Sequence, residues 1–405
     1  MNRRVFLKAM AGLGGIALTA PLLEACVRAT PARPEPTTTP AAKATARATA
    51  TTGAPVRPSP TTTPAAKATA GATATTGAPV RPSPTTTAAQ PVVRRSPMTR
   101  VSFVKTQDRA TGVNKALDLL EIGPMKGKDL FLKPNFNSAD VPPGSTHNDT
   151  LSALVQRLQA MGAERITVGD RSGMGDTRSV MKRKDVFRMA GELGFETVVF
   201  DELDASGWEM MQVTGSHWQK GFAVARPVLE ADSVVQTCCL KTHRYGGHFT
   251  LSLKNSVGLA AKWVPGPVLS KVEGESHNYM DELHGSPHQR RMIAEINVAY
   301  QPDLILLDGV EAFVDGGPDR GKRVEAQVIL AGTDRVAIDA IGVAILRYFG
   351  TTEAVSQGPI FQQEQIARAV ELGLGVDGPE KIELITDDPD SEAYAAQIQE
   401  ILMRG

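Results

Sequence analysis

Residues 37–60 read TTTPAAKATARATATTGAPVRPSP, and residues 61–84 repeat them with one change, Arg47 becoming Gly71. A repeat at such a period marks a stacked fold only if each unit brings apolar positions to stack. These units bring Thr, Ala and Pro and nothing both apolar and large. The whole stretch 27–98 has this character, so it cannot bury enough surface to offset the entropy of ordering it. It is expected to be a disordered tether with local polyproline II, roughly 45–50 Å across as a coil. Its Ser, Thr and Pro content also fits a glycosylated stalk; a plain spacer is the simpler reading. Folding is thereby confined to residues 99–405, a domain of about 300 residues with ample length for a large core and room for two lobes.

What precedes the tether reads as an export signal. Arg3-Arg4-Val5-Phe6-Leu7-Lys8 stands before an apolar stretch from residue 9 to residue 23. Two arginines, a large apolar pair and a lysine form the twin-arginine pattern. A basic start before a short apolar run is also the general signal layout. The run is short of the ~20 residues of a membrane span. Leu23-Glu24-Ala25-Cys26 resembles a lipobox, in which Cys26 receives lipid; Glu24 departs from the small or apolar residue usual there. Residues 1–26 are therefore expected to export the protein and leave it lipid-anchored on the extracytoplasmic face of the membrane. The twin-arginine route carries folded proteins, a mild hint of a cofactor inserted before export.

Charge divides along the same line. The first hundred residues hold 13 Lys and Arg against Glu24 and Glu35; with 44 basic and 44 acidic residues in the whole chain, the remainder carries 31 and 42. An acidic domain argues against a nucleic-acid groove, which needs clustered Lys and Arg. The only cysteines outside the leader are Cys238 and Cys239. Neighbours on a strand point to opposite faces, so a bond between them would be strained. No Cys-x-x-Cys run exists for an iron–sulfur cluster or a structural zinc.

From residue 101 onward apolar runs alternate with helical patterns. The pattern predicts strands at 101–105, 129–133, 165–169, 197–201, 233–239, 304–308, 326–331 and 382–386. Helices are predicted near 112–120, 149–161, 179–193, 290–299, 335–348 and 359–371. This alternation argues for an α/β fold, a mainly parallel sheet flanked by helices on both faces. Ligands of such sheets bind beyond the carboxyl ends of the strands. Five predicted strand ends are polar: Lys133-Pro134-Asn135, Gly169-Asp170, Lys241-Thr242-His243, Asp308-Gly309 and Thr333-Asp334. One such residue is ordinarily a loop residue or a helix cap; five in one sheet argue for a shared crevice.

The densest chemistry lies in 241–258, KTHRYGGHFTLSLKNSVG. A strand end, a glycine pair and a helix start would set backbone N–H groups beside cationic side chains, an arrangement suited to an anion. Lys254 follows an apolar–hydroxyl alternation and is expected to be partly buried. A buried lysine has a depressed pKa and serves as base or nucleophile, unless it is simply paired with a carboxylate. His243 is a general acid/base, a metal ligand or a structural histidine. His147 precedes a helix that Thr146 or Asn148 caps. Asp334 is an N-cap or a ligand. Asp339 falls in an apolar helical face, where an unpaired carboxylate is costly, so it is expected to meet Lys133 or Lys254. His277, His284 and His288 crowd one loop at a spacing that matches no metal motif. Dinucleotide, Walker and nucleophile-elbow motifs are absent from the sequence.

These motifs resemble those of a bacterial and archaeal family known only as domain of unknown function 362. The matching elements are 132–135, Thr146-His147, Gly169-Asp170, 241–243, 252–255 with Gly258, Asp308-Gly309, 316–318 and 333–339. They occur in order across roughly residues 100–385. Some family members add a ferredoxin-like segment of clustered cysteines; this chain lacks it, so no intrinsic iron–sulfur cluster is implied. A more distant likeness is to lactate racemase-type proteins, which place a histidine after a strand and use a lysine to hold a nickel-bearing, nucleotide-derived cofactor. His243 and Lys254 have a similar setting, but Thr250-Leu251-Ser252-Leu253 stands where that type has small glycines.

The combined expectation is an exported enzyme for a small anionic substrate. Lys254, His243 and His147 are its candidate acid, base or nucleophile. Lys133, Asn135, Asp170, Lys241, Asn255, Asp308, Asp334 and Asp339 are its candidate binding residues, with Asp339 or Asp308 setting a lysine's charge. A metal or nucleotide-derived cofactor is left open. The rival expectation is a lipoprotein that binds a solute or a partner without catalysis.

Overall fold

The computed structural model describes residues 98–264 and 277–405. The twin-arginine stretch, Cys26 and the tether through residue 97 lie outside the described residues. A single large mixed sheet organises the domain. From edge to edge its strands are Ile382–Ile385, Thr99–Lys105, Val328–Gly332, Leu304–Gly316, Ser233–His243, Asp129–Lys133, Arg165–Asp170 and Glu196–Val199. All neighbours pair in parallel except Val328–Gly332, which runs antiparallel to both of its partners. Two short strands extend the centre: His248–Thr250 folds back on the end of Ser233–His243, and Gly321–Val324 on the end of Leu304–Gly316.

Both faces of the sheet are buried, which is why its strands read as nearly continuous apolar runs. Side chains alternate between the faces along each strand. Val104, Leu130, Leu132, Val235, Leu304, Leu306 and Ile329 face one core, together with the helices Arg109–Leu120, Asn148–Ala160, Thr177–Arg183 and Val186–Leu193. Phe103, Leu240, Ile305, Leu307, Val328 and Leu330 face the other, under the helices Arg335–Tyr348, Glu364–Glu371 and Pro389–Arg404. Phe131 and Val234 face a third, aromatic cluster with Phe200, Trp208, Trp218 and Tyr279. No helix among the described residues is long and apolar enough to cross a membrane.

The fold departs from the sequence pattern in ways that matter for the site. The strand predicted at 233–239 continues to His243, and the one at 304–308 continues to Gly316 with an irregularity between Asp308 and Ala312. Both strands are long because a partner covers each extension, which local propensity does not show. The helix predicted over 179–193 is two helices, broken at Asp185 in the left-handed region (φ 56°). The helix Pro389–Arg404, whose apolar residues pack against the sheet from the chain end, escaped the pattern.

Candidate active site

The strand Asp129–Lys133 lies between Arg165–Asp170 and the central strand Ser233–His243 and runs parallel to both. Their polar ends open onto one cavity of about 300 Å³. That is the small end of the range for ligand sites. Lys133, Asn135, Asp170, Lys241, His243, Lys254 and Asn255 all line it. The structure thus brings seven of the residues picked from sequence into one lining.

Lys133 and Asp170 form its floor, with Nζ 2.8 Å from Oδ1 and both side chains almost wholly buried. The carboxylate also accepts from the backbone N–H groups of Phe136 and Arg171, each at 2.7 Å. Burial raises the Asp170 carboxyl above its ordinary value and lowers the Lys133 ammonium, each opposed by the other's charge. A side chain at Gly258 would put its Cβ 2.2 Å from Asp170 Oδ1 and 2.9 Å from Lys133 Nζ. Only glycine lets the chain pass this close to the pair. Asn255 ties the floor together: its Oδ1 accepts from Lys133 Nζ and Asn135 Nδ2, both at 3.3 Å, and its Nδ2 donates to the Thr237 carbonyl at 3.1 Å. Lys241, fully buried, donates to the Gly144 carbonyl at 2.6 Å and to Asn135 Oδ1 at 3.3 Å.

Lys254 lies on the short helical turn Ser252–Asn255 and is 7% exposed. It has no carboxylate partner among the described residues. Burial, then the charges of Lys241 and Arg171, push its ammonium down to about 7. Across Gly247 sits His243: a Cβ on that glycine would lie 2.6 Å from Lys254 Cε and 3.0 Å from His243 Nδ1. Burial first, and then Lys254 and Lys241, hold this imidazole well below its ordinary value, so it is neutral.

The lining is cationic. Asp170 is its one carboxylate among the described residues, set against Lys133, Lys241, Lys254, Arg171 and the exposed Lys262. Arg171 is buried and bonded to carbonyls, those of Ala260 and Val257 each at 2.8 Å. Three buried lining atoms, Asn137 Nδ2, Thr250 Oγ1 and His243 Nδ1, have no hydrogen-bond partner among the described residues. Buried polar groups are otherwise almost always satisfied, so these atoms are groups a polar ligand would engage. His284, whose Nδ1–H donates to the Met280 carbonyl at 2.7 Å, completes one wall.

Four residues picked from sequence lie elsewhere. Asp334 follows the antiparallel strand, so it emerges at the opposite edge of the sheet. It caps the helix Arg335–Tyr348 through the N–H groups of Val336 and Ala337 and also accepts from Val376. Asp308 sits within its long strand and accepts from Arg109 Nε at 2.9 Å and Thr150 Oγ1 at 2.6 Å; it sets an arginine's charge, not a lysine's. His147 is the N-cap of Asn148–Ala160, its Nδ1 accepting from the Asp149 N–H at 3.1 Å, and it does not line the cavity. Asp339 meets neither Lys133 nor Lys254. Its carboxylate accepts from the N–H groups of Ser252 and Leu253, at 2.7 and 3.2 Å, and burial raises it to about 8. It anchors the first residues of the turn that carries Lys254.

Arg171, Asn137, Thr250 and His284 are lining residues that strand-end reasoning passed over. Arg171 had a signal, since it directly follows Asp170. Asn137 and His284 come from loops whose approach only the fold sets. The three crowded histidines do not converge: His277 pairs with Glu282, His288 packs on His217, and only His284 faces the cavity. No group of three or more His, Cys, Asp or Glu is placed to hold a metal ion among the described residues. Lys254 and His243 do share the lining. Cys238 and Cys239 are free and buried.

Residues 130–344, just over half of the chain, match the family described as Domain of unknown function (DUF362). The chain belongs to that family. The match to the DUF362 family spans every cavity residue named above, from Lys133 to His284. A curated relative, the thylakoid-associated protein sll1697 of Synechocystis sp. (strain ATCC 27184 / PCC 6803 / Kazusa), is 26% identical over 223 residues. That match covers 55% of this chain and 64% of the relative, short of two thirds of its length. Among solved structures, the lactate racemase apoprotein from Thermoanaerobacterium thermosaccharolyticum aligns at 16% identity with a TM-score of 0.35, covering 60% of this chain and 56% of that one.

Proposed function

We propose that this DUF362 domain is an enzyme that binds a small anion in the cationic cavity and uses Lys254, with His243, in acid–base or nucleophilic chemistry. One observation carries the reading. Lys254 is a buried amine without an acidic partner among the described residues, beside two further buried cations. Holding charges together out of water is costly, so an arrangement of this kind is a mark of a functional site more than of a stabilising one. Lys241, Asn135 and Arg171 frame the anion, and Asn137 and Thr250 supply the unmatched polar groups. Asp170 pairs with Lys133 and opposes the lowering of its ammonium by burial, and Asp339 positions Lys254 through its turn. The leader motifs support a second element of the proposal: export by the twin-arginine route and attachment at Cys26, with the tether holding the domain off the membrane. A binding lipoprotein without catalysis would share the anion site but would have no use for an amine pushed down to about 7.

Anion binding is tested by thermal shift with inorganic phosphate and malonate on the wild type, Lys241→Met and Thr250→Val. A ligand at a hundred times its Kd stabilises the folded state by about 2.7 kcal/mol. The wild type should gain on this scale at saturation and Lys241→Met should not. Thr250→Val removes an oxygen without a partner among the described residues, so it should keep the unliganded stability while binding the anion more weakly. If neither anion raises the wild-type midpoint, or all three proteins respond alike, the cavity is not an anion site.

A further inference from the structure

We propose that Lys254 forms an imine with its substrate, and that the substrate is a small oxo acid, a molecule carrying a ketone or aldehyde carbonyl together with a carboxylate. This rests on the reading of the cavity as an anion site and adds the covalent step and the substrate class.

Three placements lead to it. The first is the free amine. Lys254 Nζ makes no ion pair or hydrogen bond among the described residues, while the turn beneath it is pinned by Asp339. Lys241 and Arg171 already supply two buried ammonium or guanidinium charges for an anion, each held by carbonyl oxygens. A third cation beside them would add repulsion and no new contact, whereas a neutral amine is a nucleophile toward carbonyl carbon. The second is the fixed positive field. An imine nitrogen becomes cationic when protonated, and Lys241 and Arg171 oppose that. A carboxylate on the substrate cancels the opposition, so the field selects a carbonyl compound that brings its own negative charge. The third is His243, a buried imidazole across Gly247 from the amine, with Nδ1 unpartnered.

The chemistry balances without any co-reactant. The Nζ lone pair forms the C–N bond as the carbonyl π pair moves to oxygen, which takes a proton. A second proton moves from nitrogen to that oxygen, the C–O bond breaks, and water leaves. Both hydrogens of the amine depart with the oxygen, and the product is the C=N bond. His243 sits where it can relay a proton between nitrogen and oxygen, accepting at one ring nitrogen and donating at the other.

The test is reductive trapping on the full chain. The protein is incubated with pyruvate, or with acetone as a neutral ketone of similar size, in the presence of borohydride, then digested and mapped by mass spectrometry. The expected result is a reduced adduct on the Lys254 peptide with pyruvate, about tenfold or more above acetone, as one charge contact at a buried site would give. The adduct should vanish in Lys254→Met and fall in excess phosphate. Adducts spread over surface lysines, or equal trapping of acetone, overturn the proposal. An unmodified Lys254 in a protein that phosphate or malonate still stabilises overturns the imine while the anion site stands. Failure of both trapping and stabilisation removes the two readings together.

Discussion

Lys254→Met should make the protein more stable at neutral and acidic pH, and the gain should fade as the solution becomes basic. The site lowers the lysine from an ordinary 10.5 to about 7. Each tenfold loss of proton affinity corresponds to about 1.4 kcal/mol, so carrying the charge in the folded state costs about 5 kcal/mol. Relaxation and water entry around a buried charge reduce such costs, which sets the expected gain at about 2–5 kcal/mol. Methionine nearly preserves the volume, so little packing is lost against it. Below about pH 7 both folded and unfolded chains hold the proton, and the full cost is present. Between about 7 and 10.5 the unfolded chain binds a proton that the folded site has shed, so wild-type stability rises with pH through that window. Urea denaturation of both proteins at a series of pH values reads this directly. With a slope of about 3 kcal/mol per molar, the midpoints should differ by about 1 M near pH 6 and converge near pH 10. Midpoint curves that stay parallel over that range, or a methionine variant that is the weaker protein near pH 6, would refute the claim that Lys254 is held against its own charge.

Gly258→Ala should cost about 2–4 kcal/mol, because its Cβ would meet the buried Lys133–Asp170 pair at 2.2 and 2.9 Å and one partner must move. Gly191→Ala, with nothing within 4 Å, is the control in thermal melts; equal effects at the two positions would show that Gly258 is not enforced by the pair. At the other end of the chain, Cys26→Ser should release the protein from the membrane fraction without stopping export, and a variant that still sediments with membranes would end the lipid-anchor proposal.

Much of the fold was legible. The alternation of apolar runs and helical patterns located eight of the ten strands of the main sheet, and it placed the helix Arg335–Tyr348 to the residue, because a sheet buried on both faces writes itself as short apolar segments. The cavity was half legible. Residues after parallel strands converge at one edge, and those picks share a lining. The picks that failed did so for reasons of direction. Asp334 follows Val328–Gly332, which runs antiparallel to both of its neighbours, so the rule about carboxyl ends points it the wrong way. Asp308 looked like a strand terminus because the sequence shows no sign of the irregularity that lets the strand run on. Asp339 is matched to a lysine on grounds of charge, but it accepts from two backbone N–H groups instead, and burial raises its carboxyl to about 8.

By itself the sequence determined the class of fold, because the alternation of apolar runs and helical patterns from residue 101 onward is that of a sheet covered by helices. It also determined which side chains are available for chemistry, since residue types and strand endings are local properties. Which charges face one another was decided only in three dimensions. The depressed lysine arises from burial and from the charges of Lys241 and Arg171, and Arg171 reaches a carbonyl 86 positions away in the chain. Desolvation and Coulomb interaction depend on distance in space, and sequence separation carries no record of it.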